Sequence, residues 1–229
     1  MLNKTYQLPL EIIRHIQVLR VKIADTIILF NGDNLDYHAR IMSMDKKNTI
    51  VVIDKIITNN NYNSQELHLA ISIIAMDNLE LVLRSSVELG VTHIKLFNSS
   101  RTQRINKERL TNKLERWQQI IISACEQTHL SKLPTLDNTI YEFNQIISMN
   151  SYSSKILLSP WHESQYIVTQ DPQSKLIIIG PEGGFTPDEV VTAEQNGCRF
   201  LKLGSRVLRA ETAALAAISY IQSTTGEWI

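Results

Sequence analysis

The stretch LIIIGPEGGFTPDE, residues 176 to 189, restricts the fold more than any other part of the chain. Residues 176–179 form an unbroken apolar run, β-branched after the leucine, as in a central strand of a parallel sheet buried on both faces. Gly180-Pro181-Glu182-Gly183-Gly184 ends that run, because Pro181 has no N–H to donate and glycine takes backbone angles that other residues avoid. Thr186-Pro187-Asp188-Glu189 then supplies an N-cap, a proline for the first helical position, an acid for the first turn and a capping-box glutamate. A helix is predicted from Thr186 to near Gly197. Strand, glycine loop and helix in series place ligands at the carboxyl ends of strands in α/β proteins. The same turn can simply reverse a chain, so alone it leaves function open. It has neither the Gly-Lys-Ser/Thr ending of a P-loop nor the GxGxxG spacing of a dinucleotide turn.

A second turn of this kind follows about twenty residues later in LKLGSRVLRAETAA, residues 201 to 214. Arg206 and Arg209 stand near the start of a helix, where the helix dipole disfavours cations. Two arginines placed against that preference point to an anionic partner such as phosphate, or to ion pairs with Glu182 or Glu211. Ala213, Ala214, Ala216 and Ala217 leave room for another backbone, either within the chain or from a second subunit.

The remaining sequence falls into two rhythms. Short β-like runs at 26–30, 37–44 and 49–57, separated by Asn-Gly and Asp-Lys turns, predict a small all-β unit of barrel type. The polar stretch 58–64 reads as a linker, dividing the chain into domains 1–64 and 65–229. Beyond it, strands at 67–75, 91–97, 155–158, 176–179 and 200–203 alternate with helices at 79–89, 106–127 and 211–223. This pattern implies an α/β domain with a parallel sheet flanked by helices. In the long helix Leu110, Leu114, Trp117, Ile121 and Ala124 share one face and are read as core.

Only two cysteines occur, Cys125 and Cys198, with no CxxC spacing, which disfavours a disulfide framework and fits a reducing cytoplasm. No apolar run is long enough to span a bilayer, and the first twenty residues lack the uninterrupted core of a signal peptide. No two of the six histidines have metal-ligand spacing, so no metal site is expected. The formal net charge is zero, although residues 101–116 carry a local excess of four positive charges, either a solvated helix face or a basic patch for nucleic acid.

The pair GPEGGFTPDE and LGSRVLRAETAALAA resembles the signature of the RsmE family, the SPOUT-class methyltransferases that modify N3 of a uridine in small-subunit (16S) ribosomal RNA. The resemblance extends to residues 15–20, 87–91, 99–101, Trp117 and 124–127, in the right order along nearly the whole chain. It implies an N-terminal PUA-like β-barrel, a C-terminal α/β domain with a deep trefoil knot, S-adenosyl-L-methionine as cofactor, and a homodimer acting on RNA rather than DNA or membrane. The cofactor residues it implies are Leu158, Ile179, Gly180, Pro181, Glu182, Gly183, Gly184, Leu203, Gly204, Arg206, Val207, Leu208, Thr212 and Ala213. Arg209 is expected to stabilise charge on the uracil, Glu211 or water to take the N3 proton, and Glu182 to favour the cofactor's positive sulfur. RNA contacts are expected from Arg14, Arg20, Lys22, Arg101, Arg104 and Lys107.

The chain departs from the family pattern in a short N-terminus and at Asp77-Asn78, Lys95-Leu96, Ser100 and Leu130. These departures bear on RNA recognition more than on cofactor binding. Three other readings compete: a SPOUT enzyme that modifies a ribose or another base, a non-catalytic RNA-binding assembly factor, and a nucleotide-binding module.

Overall fold

A computed structural model describes residues 2–59, 66–102, 107–162 and 174–225, with the side chains of 107–111 and 225 left out. The chain divides into two compact units, Met1–Tyr62 with His129–Leu133, and Asn63–Thr128 with Pro134–Ile229. A five-residue segment from the middle of the sequence therefore belongs to the first unit, which no single linear boundary expresses.

The first unit contains β1 (Thr5–Gln7), α1 (Leu10–Val18), β2 (Thr26–Leu29), β3 (Leu35–Met44) and β4 (Thr49–Thr58). The strands are antiparallel in the order β1-β4-β3-β2. Register shifts at His38/Ala39 and Ile41/Ser43 bend β3, as bulges do. Helix α1 departs from the all-β expectation. Its Ile13 and Ile16 recur at helical spacing and are buried with Ile41, Val51 and Ile53. The segment 129–133 is tied in by polar contacts: Asn59 Nδ2 donates to His129 O at 2.9 Å and to Ser131 Oγ at 3.1 Å, and Ser131 Oγ donates to Asp36 Oδ1.

The second unit runs β5 (Leu67–Ser72), α2 (Met76–Glu88), β6 (His93–Asn98), α3 (Lys107–Thr128), β7 (Thr135–Glu142), α4 (Phe143–Ile147), β8 (Ser154–Leu158), β9 (Lys175–Ile179), α5 (Pro187–Gln195), β10 (Arg199–Leu201) and α6 (Ala210–Thr225). Its six strands lie in the order β10-β8-β9-β5-β6-β7, and every ladder is parallel. All carboxyl ends therefore share one edge. Strand β9 is inserted between the earlier strands β8 and β5, and every residue of β5 and β9 is buried. Their apolar runs fit a sheet covered on both faces. Leu176 and Ile178 pack in one cluster with Phe143, Ile146 and Ala193 of α4 and α5, while α6 lies against β9 and packs on α2.

Strand β7 and helix α4 were not read from the sequence, because Thr135–Glu142 is largely polar and α4 is a single short turn or so. Trp117, Ile121 and Ala124 of α3 are at most 2% exposed, as core positions. Burial, then Glu126, pushes the Cys125 thiol up to about 12; burial, opposed by Lys155, pushes Cys198 up to about 11. Both remain protonated and unreactive at neutral pH. Trp117→Ala is expected to lower the unfolding free energy by about 3–5 kcal/mol in urea titrations. Trp161→Ala, at a residue 81% exposed, is expected to change it by less than about 0.5 kcal/mol.

Candidate functional site

The loops leaving β8, β9 and β10 enclose a cleft of about 690 Å³ at the carboxyl edge of the sheet. That volume lies within the roughly 300–1,000 Å³ of sites for small organic ligands. Residues 158–162 form one wall, residues 179–185 a second, and Leu201, Leu203, Gly204, Arg206, Val207 and Leu208 a third. Arg101, from the loop after β6, and Ala210 and Ala213, from the start of α6, complete much of the remainder.

The first glycine turn takes its shape from local sequence and from three braces. Gly184 has φ +67°, and its N–H donates to Pro181 O at 2.8 Å, closing the turn. Thr186 caps α5 in a full capping box: its Oγ1 accepts from Glu189 N, and Glu189 Oε2 accepts from Thr186 N. Glu189 Oε1 also accepts from Ser100 N at 2.8 Å, the first brace. In the second, Arg101 Nη1 donates to Gly183 O at 2.6 Å. In the third, Glu182 Oε1 accepts from Ala75 N at 2.7 Å, placing a carboxylate at the start of α2, whose own cap residue has no capping oxygen. Glu182 lines the cleft, but this bond gives its carboxylate a structural task beyond the expected attraction for a cation.

Two glycines leave the cleft wall open. A Cβ at Gly184, or at Gly204 with φ +71°, would meet no atom of the described residues within 4 Å beyond its chain neighbours. Gly180 is glycine for a different reason, since a Cβ there would lie 2.9 Å from the Phe185 ring, which itself packs on Phe143 with centroids 5.2 Å apart.

Thirteen of the fourteen expected cofactor residues line this cleft: Leu158, Ile179, Gly180, Pro181, Glu182, Gly183, Gly184, Leu203, Gly204, Arg206, Val207, Leu208 and Ala213. Thr212, Arg209 and Glu211 are not among the lining residues. Helical geometry gives the reason for α6: Ala210 and Ala213, three apart, share one face, and the intervening Glu211 and Thr212 turn away. Arg209 and Thr212 are exposed. Glu211 is 8% exposed, and its Oε2 has no hydrogen-bond partner among the described residues.

Arg14, Arg20 and Lys22 are exposed on α1 and the turn after it. Arg101 was read as an RNA contact, yet it lines the cleft and braces Gly183. Arg104 and the Lys107 side chain lie outside the described residues. Part of the basic face is neutralised, since Arg116 pairs with Glu80 at 2.7 Å. Sequence reasoning passed over Phe185, Trp161 and His162 as cleft residues, although Pro160-Trp161 directly after a strand is a usable signal. His162 stacks on Phe200 with centroids 3.7 Å apart. No two histidines have metal-ligand spacing along the sequence, yet β5–β6 register sets His68 beside His93 with centroids 4.0 Å apart. Burial, and after it His93, pushes His68 down to about 4.

A family model described as an RNA methyltransferase domain matches residues 61–222, and one described as an RNA methyltransferase PUA domain matches residues 8–54. The chain is 30% identical over 203 residues to the ribosomal RNA small subunit methyltransferase E of Mesomycoplasma hyopneumoniae, covering 89% of this chain and 87% of that protein. It resembles the crystal structure of a ribosomal RNA small subunit methyltransferase E from Neisseria gonorrhoeae bound to S-adenosyl methionine, with a TM-score of 0.92 and 33% identity over 100% of this chain and 95% of that one. A Legionella pneumophila structure holding the bound cofactor SAM gives a TM-score of 0.89 and 34% identity, over 97% of this chain and 93% of that one.

Gly180→Ala tests the packing of the first turn. Displacing the Phe185 ring is expected to cost about 1–3 kcal/mol of stability by overpacking, measured as a fall in the urea midpoint with an unchanged slope.

Proposed function

We propose, from the premise that this chain belongs to the ribosomal RNA small subunit methyltransferase E family, that it methylates N3 of a uridine in 16S ribosomal RNA with S-adenosyl-L-methionine as donor. The observation that carries this reading is the open, glycine-walled cleft at the ends of β8, β9 and β10, in a chain 33% identical along its whole length to a relative bound to S-adenosyl methionine.

The donor set suits that cofactor. Leu158, Ile179, Leu203, Val207 and Leu208 offer apolar walls for a nucleoside. Gly180, Gly183, Gly184 and Gly204 bring main-chain N–H and C=O groups to the cleft without side chains of their own. Ala213 closes the wall at α6. Bound there, S-adenosylmethionine supplies an electrophilic methyl group.

The protein's own groups position the base and manage its charge. Uridine N3 becomes nucleophilic when its proton leaves, and Arg209, exposed one residue before α6, stabilises the negative charge that remains on the uracil. Glu211 is buried off the cleft wall, so water receives the proton. Arg206, at the cleft, and Arg14, Arg20, Lys22, Arg104 and Lys107 contact RNA phosphates, which orient the RNA without reading its sequence. Thr212 is exposed on α6 and turned from the cleft, so it has no part in this reading. The late insertion of β9 between β8 and β5 suits the trefoil-knotted path that the family implies. The reading includes a homodimer working in the cytoplasm on the small ribosomal subunit, as the resemblance implies.

Small subunits lacking the modification, incubated with the enzyme and labelled donor, are expected to gain one methyl group at a uridine N3 in base-resolved mass spectrometry. Label on a ribose or on another base would refute the N3 assignment, and RNA binding without label would favour an assembly factor. Arg209→Ala is expected to lower turnover by about 10²–10³-fold, while calorimetry shows cofactor affinity within about threefold of the unsubstituted protein. Raising salt from 50 to 200 mM is expected to weaken RNA binding by about 10-fold or more; salt-insensitive binding would remove the basic residues from the interface.

A further inference from the structure

A separate group of side chains stands at the opposite edge of the second unit's sheet, where the strands begin. Glu66 directly precedes β5, His68 is the second residue of β5, and His93 opens β6. The parallel register pairs His68 with His93, and Glu66 precedes His68 by two residues, on the same side of an extended chain. The two rings stack at 4.0 Å with an interplanar angle of 14°, and His68 Nε2 lies 3.4 Å from Glu66 Oε2. One potential ligand atom from each of the three residues lies within 4.8 Å of the others.

The partners of the other ring nitrogens matter as much as the proximity. Thr92 Oγ1 lies 3.2 Å from Leu67 O and 3.0 Å from His93 Nδ1, where it can accept from a ring N–H. With its proton on Nδ1, His93 can offer Nε2 as a ligand atom. His68 Nδ1 sits 3.0 Å from the Tyr152 hydroxyl, which can accept in the same way and free Nε2. Metal-binding histidines are oriented by such a bond at the second ring nitrogen. The nearest ammonium on the same strand, Lys95, is held by Asp137 at 2.6 Å, which offsets its charge.

We propose that Glu66, His68 and His93 bind a divalent transition-metal ion of the zinc class, with water completing the coordination. Two imidazoles and a carboxylate match the ligand preference of zinc, whose ligand atoms lie at about 2.0–2.2 Å. The near-parallel rings stand side by side, so binding tilts one ring toward the other. His93 is only partly buried and Glu66 is exposed, so both have room to adjust. The site lies at the amino ends of β5 and β6, away from the cleft at the carboxyl edge, and its effect is on stability rather than on methyl transfer.

The test uses the full chain, stripped with chelator, reloaded with zinc chloride and desalted. One zinc per chain is expected by elemental analysis, with a thermal midpoint that rises on adding zinc but not magnesium. His93→Gln and Glu66→Gln, at the less buried positions, are expected to remain folded by circular dichroism and to lose at least about 10-fold in zinc affinity. His15→Gln, on α1, is expected to retain the zinc. A cobalt-loaded sample is expected to show visible bands of nitrogen and oxygen ligation without thiolate charge transfer. The proposal is overturned if the unsubstituted chain retains no zinc, if His93→Gln retains as much, or if magnesium raises the midpoint equally.

Discussion

Two carboxylates hold the first glycine turn in place, and the cleft depends on them. Glu189 closes the cap of α5 with one oxygen and takes the Ser100 N–H with the other, joining the loop after β9 to the loop after β6. Glu182 reaches back to Ala75 and completes the start of α2. A turn rich in glycine costs conformational entropy to order. Here that cost is offset by charge-assisted hydrogen bonds to backbone N–H groups, which are stronger than bonds between neutral groups. Arg101 adds a third tie at Gly183 O, so the main chain beside the cleft is held before any ligand arrives. Such preorganisation lets a binding site hold its ligand without first ordering itself.

The all-parallel sheet gives these ties their direction. Because every ladder of the second unit is parallel, three loops emerge from neighbouring strand ends on the same edge and meet there. The buried faces of β5 and β9 make that edge rigid. Glycine then serves two purposes: open space at Gly184 and Gly204, and close packing against an aromatic ring at Gly180.

Much of this was legible in the sequence where local rules dominate. The capping box of Thr186 and Glu189, the buried run at Leu176–Ile179 and the core stripe of α3 follow from spacing alone, because each depends on residues within a few positions. Twelve of the thirteen cleft residues likewise lie in two contiguous motifs, Leu158 being the exception. What escaped depends on long-range geometry or weak patterning. Helix α1 is amphipathic but only nine residues long and set among strands, and β7 is mostly polar, so neither stood out. The pairing of His68 with His93 arises from strand register across 25 residues, which no sequence spacing encodes. Glu182 offered no sign that its partner would be Ala75 N, and the helical phase that turns Glu211 and Thr212 from the cleft is fixed by where α6 begins, at Ala210.

The short segment His129–Leu133 bears on how the protein is made. Asp36 and Asn59 leave the ribosome early, yet Ser131, which bonds to both, follows Asn59 by 72 positions. The first unit therefore emerges with its polar clasp unfilled, and it is completed only after β5, α2, β6 and α3 have been synthesised. Translation order and assembly order differ in this protein: the part that begins first is among the later ones to close, and a fragment cut at the apparent linker would lack its final fastening.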